Sequence, residues 1–134
     1  MALFASLVLW GCAQSDKPID EETIAREVRT MESISAEAAF VCEEMLLGHL
    51  KPSFVAVHLE NLTKEARKAQ QEVAKPSEPL LERQHLHAQA LAWRLGQSLR
   101  ALAQSQFGPD ERIAGEQHAL LRLKSEFESL EKQL

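Results

Sequence analysis

The sequence predicts an all-α protein, an up-down-up-down antiparallel four-helix bundle. Three observations carry that expectation. The composition is rich in Ala, Leu, Glu, Gln, Lys and Arg, lacks Tyr and has few β-branched residues, a balance that favours helix. Four segments repeat apolar residues in alternating steps of four and three, the spacing of one helix face. The breaks between them contain Pro or Gly and are only a few residues long, and short connections force antiparallel neighbours.

The first helix starts well. Asp20 is a good N-cap, Ile19 and Ile24 have the spacing of a hydrophobic staple, and Glu21 and Glu22 favour the positive helix end. Its seam reads Ile24, Val28, Met31, Ser35, Ala38, Cys42, Met45, His49, and Gly48 is a natural stop. The second helix opens at Pro52, a residue suited to a first turn, with the seam Val55, Leu59, Leu62, Ala66, Ala69, Val73. The segment KPSEP at 75–79 ends it, and Ser77 is positioned to cap the third helix. That helix carries Leu81, Gln84, Ala88, Leu91, Leu95, Ser98 and Leu102 in its seam. Gly108-Pro109 breaks the chain again, and the fourth seam is Ile113, Glu116, Leu120, Leu123, Phe127, Leu130, Leu134. Many seam positions are small, so the helices can approach closely and leave little room for a large cofactor.

Net charge narrows the partners. The chain carries −5, which argues against nucleic acid and against a polybasic contact with lipid headgroups. Residues 20–47 hold eight acids and two bases; residues 51–75 hold five bases and three acids. Packing the second helix beside the first is therefore expected to relieve the first helix's self-repulsion.

The start of the chain gives an address. MALFASLVLW is an apolar run of signal-peptide length, far short of the ~20 residues that span a bilayer. Leu9-Trp10-Gly11-Cys12 follows, then a polar stretch at once, although Trp10 is bulky and no Lys or Arg precedes the run. This segment resembles the lipobox of bacterial lipoproteins. The resemblance implies cleavage before Cys12 and acylation of that cysteine with chains such as palmitate. It divides the chain into a signal peptide (1–11), a lipidated cysteine and tether (12–19) and a four-helix bundle (20–134). Ala13, rather than aspartate, follows the cysteine, which in that family points to the outer membrane, facing the periplasm.

Two groups of residues are candidate sites. If Cys12 carries lipid, Cys42 stands alone and forms no intramolecular disulfide. Folding the first two helices back about residue 50 puts His58 level with Cys42, with Met45 and His49 on the same stripe. Thiolate, thioether and imidazole together suit soft or borderline metals, copper or zinc; a buried cysteine beside a hydrogen-bonded core histidine is the other reading. Haem is not expected: there is no C-x-x-C-H, and Met31 and His118 do not match the positions of axial ligands in helical-bundle cytochromes. His85 and His87 point to different sides of their helix and read as solvated. The second group lies outside. Leu86, Ala90 and Trp93 fall opposite the third seam, and Phe40 and Leu47 opposite the first, as partner-binding or self-association surface.

No Ser/His/Asp order, phosphate loop or paired-carboxylate signature occurs, so an enzyme is not expected. The expectation is a lipid-anchored envelope bundle acting as a non-catalytic protein-binding or assembly module, with a protein partner or a homodimer. In architecture alone it is similar to the pilotins, small helical lipoproteins that escort secretion-pore subunits. The alternative is a periplasmic metal-binding bundle using Cys42 and His58.

Overall fold

The computed structural model describes residues 17–134. The apolar run at 1–10, the Leu9-Trp10-Gly11-Cys12 motif and the lipid site at Cys12 lie outside the described residues. Four helices follow one another: α1 (Glu21–Leu46), α2 (Pro52–Val73), α3 (Glu82–Ser105) and α4 (Asp110–Glu131), with a 3-10 turn at Pro79–Leu81 leading into α3. They run up-down-up-down. α1 packs on α2 and α4, α3 packs on the same two, and α1 also meets α3 across the centre. The protein is the all-α four-helix bundle that the periodicity predicts.

Local chemistry sets the ends. Asp20 Oδ1 accepts the Thr23 N–H at 2.9 Å, which holds the Asp20 carboxyl below its ordinary range. Ile19 and Ile24 are both buried at that end, as the staple spacing requires. α1 stops at Leu46, and Gly48 takes the left-handed conformation (φ 72°) that a side chain resists. Ser77, expected to cap α3, does something else. Ile19 donates its N–H to Pro76 O (2.8 Å) and accepts from Glu78 N–H (3.3 Å), so residues 76–78 form a short bridge to the incoming chain. The 3-10 turn then carries the chain to α3 without a side-chain cap. The incoming chain therefore lies beside the α2–α3 turn, and the α1–α2 and α3–α4 connections form the far end.

The core is continuous from Ile19 to Leu130 and centres on Phe127, Met31, Leu59, Leu91, Leu95 and Leu120. Each fully buried large apolar side chain contributes about 1.5–3 kcal/mol. All six seam residues of α2 are buried. The seam of α3 is turned by part of a residue step: His85 and Leu99 are buried where Gln84 and Ser98 were expected, because a packed helix buries a wider stripe than two positions per heptad. His49 leaves the first seam altogether, since the helix has ended three residues earlier.

Each neighbour meets one carboxylate of α1: Lys124 of α4 lies 4.0 Å from Glu32, and His58 of α2 lies 2.8 Å from Glu37, the sole ion pair between α1 and α2 among the described residues, while Arg29 of α1 pairs with Glu131 of α4 at 3.2 Å. The cations of α2 pair within their own helix, Lys64 with Glu60, or lie near its end, Lys75 with Glu72.

Candidate binding site between α2 and α3

Three side chains clamp α3 to α2 by bonding backbone carbonyls of the opposite helix. Gln70 Nε2 donates to Ala92 O (2.6 Å), Gln89 Nε2 donates to Val73 O (2.9 Å), and His85 Nε2 lies 2.6 Å from the same Val73 O. A carbonyl only accepts, so His85 carries its proton on Nε2. The reading of His85 as solvated is thus overturned: it is buried against α2, while His87 is exposed. Gly96 makes the Gln70 clamp possible. A Cβ built there would stand 2.5 Å from Gln70 Nε2, so only glycine lets the amide pass over α3.

Polar clamps fill less of the seam than interdigitated Leu would, and an open cleft remains beside them. One part, about 230 Å³, is lined by Val73, Ala74, Ala92 and Trp93 with Gln70 and Gln89. A second, more polar depression, about 370 Å³, lies toward the α2–α3 turn, lined by Gln89, Leu86, His85 and Glu82 with Pro76, Ser77 and Pro79. Gln89 borders both, so the two lie next to each other along the helix pair. Trp93 (65% exposed) and Leu86 (55%) stand on their outer walls, two helical turns apart, with exposed Ala90 between them. Leu80, 96% exposed, sits on the 3-10 turn at the end where the chain enters. The predicted Leu86–Ala90–Trp93 stripe is therefore solvent-facing, with Trp93 beside an apolar cleft and Leu86 beside a more polar one, which the wheel alone did not show.

Phe40 and Leu47 are exposed as predicted but belong to another surface. α1 and α3 are diagonal, so their outward faces look in opposite directions. Sequence reasoning missed that Phe54 and Val57 of α2 are exposed as well. The His58 Nε2–Glu37 pair sets the register: one turn toward the far end, Phe54 of α2 comes about level with Val41 of α1. Phe54 stacks on the His58 ring (5.4 Å between centroids, 11° between planes). Another depression, about 590 Å³, opens there beside His49, Leu50, Lys51, Phe54 and Val57.

The four residues proposed to share a metal do not converge. Cys42 is buried in the far-end core, where burial, with the Glu116 carboxylate adding to it, pushes its thiol up to about 12. Burial raises Glu116 too. His58 lies on the outer edge of the α1–α2 seam and pairs with Glu37; exposed His49 pairs with Glu44 at 3.0 Å; Met45 is half-buried at the edge of the core. The fold-back places His58 by residue 37, more than a turn from Cys42. Among the described residues no three His, Cys, Asp or Glu side chains form a metal-holding group, and no helix is long and apolar enough to cross a membrane.

No protein-family model, curated protein or solved structure matches this chain. The geometry is then the guide to what the cleft can do. It offers an apolar floor walled by Trp93, with Leu86 beside it, and the amides of Gln70 and Gln89. Those groups suit a protein segment that inserts apolar side chains and hydrogen-bonds at its edges.

Proposed function

We propose that the chain is a lipid-anchored protein of the bacterial cell envelope, held at the periplasmic face of the outer membrane through Cys12, whose bundle is a non-catalytic binding or assembly module. The binding reading is supported by one observation: exposed Trp93 walls an open apolar cleft between α2 and α3, and exposed Leu86 lines the more polar depression next to it. Trp anchors beside pockets are the side chains that dominate binding energy at interfaces. The anchor reading is supported by Leu9-Trp10-Gly11-Cys12 in the sequence. From Cys12 to Ile19 the chain reaches at most about 25 Å when extended, which keeps the α2–α3 turn close to the lipid.

A photo-crosslinking residue at position 93, introduced in cells and followed by mass spectrometry of the envelope, tests the binding reading. Crosslinks to a different protein that vanish when Leu86→Gln is added support it. Crosslinks only to a second copy make the chain a homo-oligomer through the same face, and crosslinks to nothing sink the reading. Separately, a clickable fatty acid is expected to label the chain and to be lost in Cys12→Ala; equal labelling of both overturns the anchor.

A further inference from the structure

We propose that, in the uncut chain, the cleft between α2 and α3 is covered by that chain's own residues 1–16, with the apolar run before Gly11 in the pocket beside Trp93. The inference rests on the reading of that cleft as a binding site and names its first occupant. The way the chain enters supports it. Ile19 and Ser77 form a parallel bridge, with Ile19 N–H donating to Pro76 O and Glu78 N–H donating to Ile19 O. In a parallel pair both segments run the same way. The chain before Ile19 therefore points back along Pro76 and Lys75 toward Ala74 and Val73, and those two residues line the apolar pocket. Ile19 is itself buried, so the core fixes this entry.

The order of chemistry along the segment matches the order along the helix pair. Nearest the bridge lies the more polar depression, which Ser77, Glu82, His85 and Gln89 help to line. Nearest Ile19 in the sequence come Gln14, Ser15, Asp16 and Lys17, all polar. Farther along α3 lies the apolar pocket, whose lining of Val73, Ala74, Ala92, Trp93, Gln70 and Gln89 carries no charge. Farther back in the sequence comes MALFASLVLW, which has no charged side chain either. The lengths agree too. Glu82 to Trp93 spans about 16.5 Å of helix, and the stretch from Trp10 to Ile19 reaches at most about 30 Å, so Leu9 and Trp10 meet Ala92 and Trp93 with slack to spare. On so short a tether the run is present at high effective concentration and excludes a partner. Hydrolysis of the bond before Cys12, the cut that the lipobox implies, leaves a carboxylate on Gly11 and an amine on Cys12. The run departs, and the pocket opens only on the processed form.

The test compares two chains in dilute aqueous solution without lipid, both carrying Cys12→Ala: the uncut chain and the same chain begun at residue 12. Trp10→Phe in the uncut chain keeps an apolar ring in the run and leaves Trp93 as the only tryptophan. Trp93 is 65% exposed on the bundle, and its quenching by acrylamide is expected to be about threefold weaker in the uncut chain. Leu7→Asp with Leu9→Asp is expected to restore full quenching, and both positions lie outside the bundle, so its folding is untouched. A photo-crosslinking residue at position 9 is expected to join the segment to residues 70–93 of its own chain. Equal quenching in the uncut and shortened chains overturns the proposal. Crosslinks confined to another face of the bundle, or to a second copy, overturn it as well. The two readings fail separately: equal quenching, together with capture of a partner at position 93 of the processed chain, removes the covering segment and leaves the binding cleft.

Discussion

The two long seams of the bundle are built on opposite principles. Between α1 and α4 the boundary is small against large: Ser35, Ala38, Ala39 and Cys42 let α4 come close, and Leu120, Leu123, Phe127 and Leu130 are all buried there. Ser35 satisfies its hydroxyl within its own helix, donating to Met31 O at 2.8 Å, so it needs no partner on α4, and the polar pairs Arg29–Glu131 and Lys124–Glu32 cross at the edge of the seam. Between α2 and α3 the boundary is held by Gln70, Gln89 and His85 reaching for carbonyls, with Gly96 cleared for passage. The first seam is closely packed and the second leaves a cleft. The difference teaches that one bundle can close a seam with small against large side chains and tie another with polar side chains that leave space beside them.

The largest test is on the closely packed side. Phe127 is fully buried, and Phe127→Ala is expected to destabilise the bundle by about 3–5 kcal/mol, because a close-packed boundary cannot collapse onto the void. Chemical denaturation measures it. On the open side His85→Ala is expected to cost less, about 1–3 kcal/mol, since the Val73 carbonyl keeps the Gln89 bond and the vacated space joins an existing cleft. Equal losses at the two positions would abolish the contrast.

A smaller effect lies in the far-end core. Burial raises the Glu116 carboxyl above its ordinary value in the folded protein. A raised value means that folding favours the protonated form. The stability it brings is present below the unfolded value near 4.5 and is lost as pH rises through the folded value. Glu116→Gln is therefore expected to raise the melting temperature at pH 7, with that gain shrinking as pH falls through the raised folded value and gone below about 4.5. A gain independent of pH would mean that charge burial is not its cause. The same variant lowers the Cys42 thiol somewhat, because the Glu116 charge is part of what holds it up.

How much of this was legible depends on where the information sits. The seam of α2 could be read residue by residue, because Val55, Leu59, Leu62, Ala66, Ala69 and Val73 are all apolar and evenly spaced. The seam of α3 could not, because its cross-helix partners are carbonyls, which leave no mark on a hydropathy pattern. Gln84 and His85 are both polar, and nothing in their spacing says that only the second finds Val73 O. The exposed positions Leu86 and Trp93 were legible from the wheel, but the cleft beside them was not, since a cleft is a property of two helices. The misplaced group of Cys42 and His58 has a similar origin. Counting back from the turn missed the level by more than a turn and carries nothing about the side: His58 faces Glu37 at the rim while Cys42 faces the centre. One trace did exist: Gly96 interrupts a strong helix former's pattern, and a mid-helix glycine marks a close approach.

That trace gives the finest test of the contrast. Gly96→Ala removes the backbone freedom of glycine in the unfolded chain and gains about 1 kcal/mol of helix propensity. It also places a Cβ 2.5 Å from Gln70 Nε2, and the amide, being the end of a flexible side chain, swings away and gives up its 2.6 Å bond to Ala92 O. The lost bond costs about 0.5–1.5 kcal/mol, so the single substitution is expected to be close to neutral. In a Gln70→Ala background nothing remains to displace, and Gly96→Ala becomes stabilising by about 1 kcal/mol. The cycle thus reads the Gln70 clamp directly as the difference between the two backgrounds. A Gly96→Ala effect of the same size in both would show that the Gln70 clamp contributes nothing, leaving Gln89 and His85 as the polar ties between α2 and α3.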